Sequence, residues 1–400
     1  MYSGSGPVFA ADTRAKGSRR SAGEDGLSDE ERLLASAGRL LVWYKREKRD
    51  LPWRRNRDAY RVWISEIMLQ QTRVEAAKPY FYRFMEHFPT LLSLAEAKEE
   101  ELLKCWEGLG YYSRVRNLKK AAELVRDTYN GVLPASREKL LSLPGIGSYT
   151  AGAIASIAYG IAAPAVDGNV LRVLSRLTAD REDILKPATK KRYETLIGAA
   201  LQTLEGQEGR LPYEAGGSLA GDFNQALIEV GALVCIPGGE PRCGECPLST
   251  LCKARAQGVI GELPVKTPKK QRKIEEKTVL LLEYKDKIAI RKRKEDGLLA
   301  SLYEFINLPG KMDAESVADL FKIREGIEPL PEAKHVFSHT EWHMSGYLLS
   351  LRAFPGLAFE KLAGKPIFVS WDEARERYPI PSAFLAYKKF LDERYGGISL

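Results

Sequence analysis

The chain is expected to fold as a mainly helical domain followed by a smaller mixed α/β domain. Three features carry this expectation. Helix-spaced apolar stripes dominate from Ser28 to about residue 232, a glycine hairpin separates two helical stretches within them, and strand-like runs take over beyond a basic, proline-containing segment at Leu263. A length of 400 residues exceeds one ordinary compact core, in keeping with two domains. With 44% hydrophobic and 28% charged residues, the composition excludes wholesale disorder and a collagen-like chain. No run of about 18 apolar residues is present to span a bilayer.

Residues 1–27 are mostly Gly, Ser, Ala and charge and lack the apolar core of a secretory signal, while Asp12, Glu24 and Asp25 disfavour an organellar transit peptide; a disordered tail is expected there. At Ser28 the pattern becomes helical. Ser28 and Glu31 have capping-box spacing, and Leu33, Leu34, Ala37, Leu40, Leu41 and Tyr44 recur at helix period. Tyr60, Trp63, Ile64, Ile67 and Met68 draw a second stripe, and Val74, Ala77, Phe81, Phe84 and Phe88 a third. The segment LPVKTPKKQRK from Leu263 reads as a linker. Beyond it, TVLLLEY and KIAIRKR are expected to pair around a short turn, with a helix over Ala314 to Ile323 and further strands at HVFSH and YLLSLRAF. The 61 Lys and Arg against 53 Asp and Glu leave a net charge of +8, which attracts phosphate or simply solubilises.

Four of the five cysteines crowd into Cys235, Cys243, Cys246 and Cys252, a Cys-x7-Cys-x2-Cys-x5-Cys order, while Cys105 stands alone. An odd total and tight clustering favour a metal site in a reducing compartment over a disulfide framework. Zinc is one reading, although its all-cysteine sites usually combine two Cys-x2-Cys knuckles and only one is present. Soft thiolates without histidine suit a [4Fe-4S] cluster, and Arg242, Lys253 and Arg255 would place positive charge beside it.

In LSLPGIGSYTAGAIASIAYG a short helix is expected to stop at Pro144 and a small-residue helix to start at Tyr149 or Thr150, giving a helix-hairpin-helix. Gly145 and Gly147 would leave backbone N–H groups bare at that helix start, where a phosphate can bind without sequence preference; a plain turn is the alternative. Glu66 falls off the second apolar stripe, in line with Val62, Gln70 and Arg73, and on position alone is a surface glutamate. Asp167 precedes a helix expected from about Asn169, a place where Asp is favoured for structural reasons. Paired carboxylates nevertheless suit cleavage of an N-glycosidic bond, one protonating the leaving base and the other, ionised, steadying the cationic sugar.

LPWR at Leu51, SEIMLQQTRV at Ser65, GLGYYSRVRNL at Gly108, LPGIGSYTAGAI, VDGNVLRVL, FNQALIEVGALVC and the cysteine loop occur in an order that resembles the adenine DNA glycosylase (MutY) family. The resemblance runs from about Leu33 to the C-terminal end. It implies a two-lobed, mainly α helix-hairpin-helix glycosylase domain with an iron-sulfur cluster loop, plus a smaller α/β Nudix-like domain. It also implies that Glu66 is the general acid toward adenine N7 and that Asp167 stabilises the oxocarbenium-like sugar. Tyr149 and Asn169 would hydrogen-bond around these carboxylates, Trp53, Arg54 and Gln225 would line the adenine pocket, and Gln71 and Tyr111 would wedge into the duplex. The related endonuclease III family carries a lysine in the hairpin where this chain has Tyr149. An aromatic hydroxyl cannot form a Schiff base, so a monofunctional enzyme that leaves the strand intact is expected.

Phe337, Ser338 and His339 match the loop by which the family reads 8-oxoguanine opposite the adenine; on the residues alone they read as a core Phe flanked by satisfied polar groups. A Nudix hydrolase needs a glutamate-rich magnesium box, but Ser316, Gly326 and Pro329 stand where that box wants Glu, an apolar residue and Glu. Three departures from the family are visible. The first cysteine gap is longer by one, Leu171 replaces a lysine that some members carry, and the stretch GQEGRLPYEAGGS is expanded. The expected segments are a tail at 1–27, the glycosylase domain at 28–234, the cluster loop at 235–256, a linker at 257–276 and the Nudix-like domain at 277–400. The expected substrate is double-stranded DNA with adenine opposite 8-oxoguanine or guanine, handled by a monomer in the bacterial cytoplasm at the nucleoid. A related glycosylase for thymine or oxidised pyrimidines, and a noncatalytic DNA-binding protein, are the alternatives.

Overall fold

A computed structural model describes residues 26–205, 211, 218–268, 271–323, 325–353 and 365–396. Residues 1–25 of the expected tail and nearly all of the expanded stretch GQEGRLPYEAGGS lie outside the described residues. In chain order the helices are α1 (Asp29–Glu47), α2 (Ala59–Leu69), α3 (Val74–His87), α4 (Leu91–Glu96), α5 (Glu99–Cys105), α6 (Ser113–Tyr129), α7 (Arg137–Leu141), α8 (Ser148–Tyr159), α9 (Gly168–Thr178), α10 (Pro187–Glu205), α11 (Leu219–Leu233), α12 (Lys253–Ala256), α13 (Ala314–Phe321), α14 (Trp371–Arg377) and α15 (Leu385–Tyr395). None is long and apolar enough to cross a membrane. The strands are β1 (Lys273–Tyr284), β2 (Lys287–Lys292), β3 (Tyr303–Pro309), β4 (Ile327–Val336), β5 (Thr340–Ser350) and β6 (Ile367–Val369).

The chain divides into two compact units. The smaller is built from residues up to Glu47, Gly168–Glu214 and Gln225–Val265; the larger from Lys48–Asp167, Ala215–Asn224 and Lys266–Leu400. In the smaller unit, α1 begins with the expected capping box: Glu31 N–H donates to Ser28 Oγ at 3.2 Å and Ser28 N–H to Glu31 Oε2 at 2.8 Å. Its apolar stripe, Leu33, Ala37, Leu40, Leu41 and Tyr44, is buried, and α1 and α9 both pack on α10.

In the larger unit, α2 to α8 enclose one core around Trp63, Phe81, Phe84 and Trp106. Asp58 starts α2 by accepting from Arg61 N–H at 2.8 Å. The hairpin helices are α7 and α8; α8 begins at Ser148, one residue earlier than expected, because Gly147 takes the cap position, and α7 stops at Leu141, ahead of Pro144. The glycine turn has a steric reason. Gly145 sits at φ +77°, and a Cβ there would meet Asn117 Cβ at 2.6 Å.

A six-stranded sheet in the order β4-β5-β1-β3-β2-β6 follows. β1 and β2 form the expected hairpin, and β1 also pairs in parallel with β5, from Lys273↔Thr340 to Glu283↔Ser350, while the other pairings are antiparallel. One face packs Val279, Leu281, Trp342 and Met344 against Phe384, Tyr387 and Leu391, and the other packs Leu280, Leu282 and Ile306 against Val317 of α13. The run HVFSH is strand only as far as Val336. Phe337, Ser338 and His339 make the turn into β5, closed by Phe337 N–H donating to the Thr340 carbonyl at 2.9 Å.

Candidate active site

Glu66 is a buried residue of α2, not a surface one. The apolar stripe of α2 accounts for one of its faces, but α8 covers another, so Tyr60 and Val62 to Met68 are all buried. Tyr149, in the first turn of α8, is thereby brought to the carboxylate, and its hydroxyl donates to Glu66 Oε2 at 2.6 Å. Burial pushes the Glu66 carboxyl up to about 7; the Tyr149 bond opposes this, the charge of Asp167 adds to it, and Arg54 opposes it. Tyr149 itself is held well above the ordinary tyrosine range by burial and by the neighbouring carboxylates. Asp167 ends the extended connection that follows α8, is half-buried, and directly precedes α9, which starts at Gly168. Two carboxylates thus interact electrostatically, and burial holds the pKa of the Glu66 carboxyl near neutrality, the range suited to a proton donor.

Other expected residues fall as follows. Trp53 is buried edge-on against Phe81, with ring centroids 5.3 Å apart, and Arg54 follows it half-buried in the same short 3-10 turn. Gln71 and Tyr111 are exposed, both with positive φ, 58° and 50°. Gly145 and Gly147 are exposed, and among the described residues no acceptor takes their N–H groups. Phe337 is half-buried against Trp342, with centroids 4.8 Å apart, whereas Ser338 and His339 are exposed. The Ser338 and Tyr111 hydroxyls lie 3.0 Å apart. Asn169 and Gln225 belong to the smaller unit, where Asn169 Oδ1 accepts from Arg172 Nη2 at 2.8 Å.

Cys235, Cys243, Cys246 and Cys252 line one small cavity of about 30 Å³ with Arg176 and Arg255, and none is in a disulfide. No group of three or more His, Cys, Asp or Glu among the described residues is arranged to grip a single ion. Burial, with the charges that the other three sulfurs would carry, pushes the Cys246 thiol up to about 12. Four thiolates so crowded need a compensating cation, and the chemistry of this donor set fits a metal centre. Arg176 Nη1 donates to Cys235 Sγ at 3.2 Å, and Arg32 Nη1 donates to the carbonyl of Leu251, next to Cys252, at 2.7 Å. Lys253, the residue after Cys252, pairs with Asp29 at 3.1 Å.

Residues 64–198 match the model of the HhH-GPD superfamily of base excision DNA repair proteins, and residues 278–389 match the NUDIX domain model. The mouse adenine DNA glycosylase is 33% identical over 92% of this chain and 80% of its own length, and the human one 35% identical over 80% and 67%. The chain belongs to the adenine DNA glycosylase family. A solved thermostable thymine-DNA glycosylase is also similar, at 27% identity and a TM-score of 0.47 over 57% of this chain and 98% of its own.

The geometry adds residues of this glycosylase that sequence reasoning passed over. Asn224 is fully buried, donates from Nδ2 to the Ala163 carbonyl at 2.8 Å and to Ser156 Oγ at 2.9 Å, and accepts from Ala165 N–H at 3.2 Å. It pins the connection that ends at Asp167; the available signal was a polar residue inside the apolar run FNQALIEVG. Arg176 had a signal too, since it lies one turn after Arg172 on a helix rich in Val and Leu, where both arginines are buried.

Proposed function

We propose that this enzyme is a monofunctional adenine DNA glycosylase that hydrolyses the N-glycosidic bond of adenine paired with 8-oxoguanine or guanine. The observation that carries the reading is the buried Glu66 carboxyl, near pKa 7, held by the Tyr149 hydroxyl at 2.6 Å and in the field of Asp167. With Tyr149 donating to Oε2, the protonated form can direct its own proton from the other oxygen toward adenine N7. The C1′–N9 bond then breaks with its electron pair leaving on the base, ionised Asp167 steadies the oxocarbenium sugar, and water adds at C1′ and loses a proton. Tyr149 at the hairpin supplies no amine, so no imine forms and the strand stays intact.

The remaining assignments follow the same reading. Asn169 supports the carboxylates, and Trp53, Arg54 and Gln225 bound the adenine pocket. Gln71 and Tyr111 enter the duplex beside the extruded base and offset part of the few kcal/mol lost in unstacking. The free N–H groups of Gly145 and Gly147 hold a phosphate. Phe337, Ser338 and His339 read 8-oxoguanine, supported by a cavity of about 580 Å³ that they line with Tyr111, Leu299 and Pro381. The four loop cysteines would hold a [4Fe-4S] cluster, which supplies structure when bound. Functionally the chain divides into residues 28–234, 235–256, 257–276 and 277–400.

Glu66→Gln tests the central assignment. The isosteric amide keeps the Tyr149 partner but has no proton to give, so the variant is expected to bind an adenine:8-oxoguanine duplex as wild type does and to release no adenine in single-turnover assays. Normal turnover by this variant would remove Glu66 from the chemistry.

A further inference from the structure

The two turns assigned to the duplex are tied together by a group that the reaction scheme does not use. Gln71 and Tyr111 both hold left-handed backbone, at φ 58° and 50°. Such a conformation costs a non-glycine residue on the order of 1 kcal/mol and persists only where its surroundings over-determine it. Arg114, buried in the first turn of α6, constrains both. Its guanidinium makes five hydrogen bonds, every one to a backbone carbonyl. Nη1 donates to Ile67, Met68 and Gln70 at 2.8, 3.0 and 2.7 Å, and Nη2 donates to Leu109 and Gly110 at 3.2 and 3.0 Å.

The first three carbonyls belong to the C-terminal end of α2, where a helix cannot satisfy its own acceptors and its dipole is negative. The other two lead directly into Tyr111. The guanidinium also lies 5.4 Å from the ring centroids of both Trp106 and Tyr111. Burial lowers the Arg114 pKa to about 10, so it remains a cation at neutral pH, and none of its hydrogen-bond partners among the described residues is a carboxylate. A planar fork is required for this arrangement. Lysine presents its donors from a single atom and cannot span two turns.

These bonds form a continuous path. Ile67, whose carbonyl Arg114 holds, follows Glu66 in α2, and at the other end the Tyr111 hydroxyl meets Ser338 Oγ at 3.0 Å. We propose that Arg114 is a positioning residue for base extrusion, locking the Gln71 turn, the Tyr111 turn and the end of the helix that carries Glu66 into one body. Insertion of the two side chains into the duplex and seating of the adenine against Glu66 then occur in register. This rests on the functional reading above, which assigns the two turns to the duplex.

The test compares wild type with Arg114→Lys and Arg114→Ala, each as the full chain. Extrusion is read from the fluorescence of 2-aminopurine placed opposite 8-oxoguanine. Chemistry is read from single-turnover release of adenine from the 8-oxoguanine mispair and from a duplex where adenine faces an abasic-site analogue and needs little unpairing. The Arg114→Lys chain should stay folded at the assay temperature, with a lowered melting temperature for the carbonyls it leaves unpaired, and the pH profile of release should stay as in wild type. Extrusion and release from the mispair should fall about 10- to 100-fold, as expected when a reacting group is displaced by about 1 Å, with a much smaller loss on the unpaired adenine. Arg114→Ala should lose more on the mispair than Arg114→Lys. Equal losses on both duplexes, no loss on either, or an Arg114→Lys chain that unfolds would each overturn the proposal. Wild type that releases adenine from neither duplex would instead remove the functional reading, and this inference with it.

Discussion

At the scale of single residues, the behaviour of Glu66 with pH is the sharpest consequence of its surroundings. Burial raises its pKa from an ordinary carboxylate value to about 7, so the folded chain holds this proton where the unfolded chain has lost it. The stabilising contribution is therefore complete below the unfolded value of about 4.5 and is lost as pH rises through about 7, a change of roughly 3 kcal/mol. On the general-acid role proposed for Glu66, activity needs the same protonated form and should fall as pH rises through about 7. Glu66→Gln, neutral at every pH, should raise the melting temperature at pH 8 relative to wild type and change it little near pH 4.5. A variant no more stable than wild type at pH 8 would mean that Glu66 carries no such cost. The identity of Glu66 was legible in the sequence from its motif, but its burial was not, because the apolar stripe of α2 describes one face and says nothing of what covers the next. Arg114 was illegible for a related reason: its hydrogen-bond partners are backbone carbonyls, which no residue pattern records.

At the scale of elements, the site depends on how closely α8 approaches the connection that ends at Asp167. Gly152 allows that approach, since a Cβ there would stand 1.9 Å from the Pro164 carbonyl oxygen and 2.7 Å from its carbon. These are backbone atoms, so the helix carrying Tyr149 and the segment carrying Asp167 would have to separate. Gly152→Ala is expected to cost about 1–3 kcal/mol in chemical denaturation and to slow adenine release, whereas Gly261→Ala, with nothing within 4 Å, should leave stability nearly unchanged. Equal stability of the two variants would contradict the close-approach argument. Most elements near the site were readable: the Ser28 capping box, the α2 and α3 stripes, the glycine hairpin and the β1–β2 turn all follow local rules. The parallel pairing of β1 with β5 was not, since strands separated by more than fifty residues of sequence leave no local signal. The strand at HVFSH was overextended because Phe337 looks like a continuing strand residue, while the turn is set by a backbone bond from Phe337 to Thr340.

At the scale of the whole molecule, the segment beyond the linker is anchored to the helices of the larger unit. Leu302 of the sheet region is fully buried in the helical core, Lys104 and Lys388 both pair with Glu107, and Lys292 pairs with Glu100. Composition marked the linker as a boundary, but it could not show that Leu302 completes a core that begins at Leu51. The Phe337-Ser338-His339 turn is held beside Tyr111, so the two roles proposed for them, reading the opposite base and entering the duplex, would fall to neighbouring groups. All of these assignments converge on one reaction outcome. The measurement that tests it most directly is single-turnover processing of an end-labelled duplex holding adenine opposite 8-oxoguanine, with oxidised pyrimidines as controls, scored before and after alkali. The account predicts rapid loss of adenine with the strand intact until alkali is added; strand breaks without alkali, or release of pyrimidines alone, would contradict it.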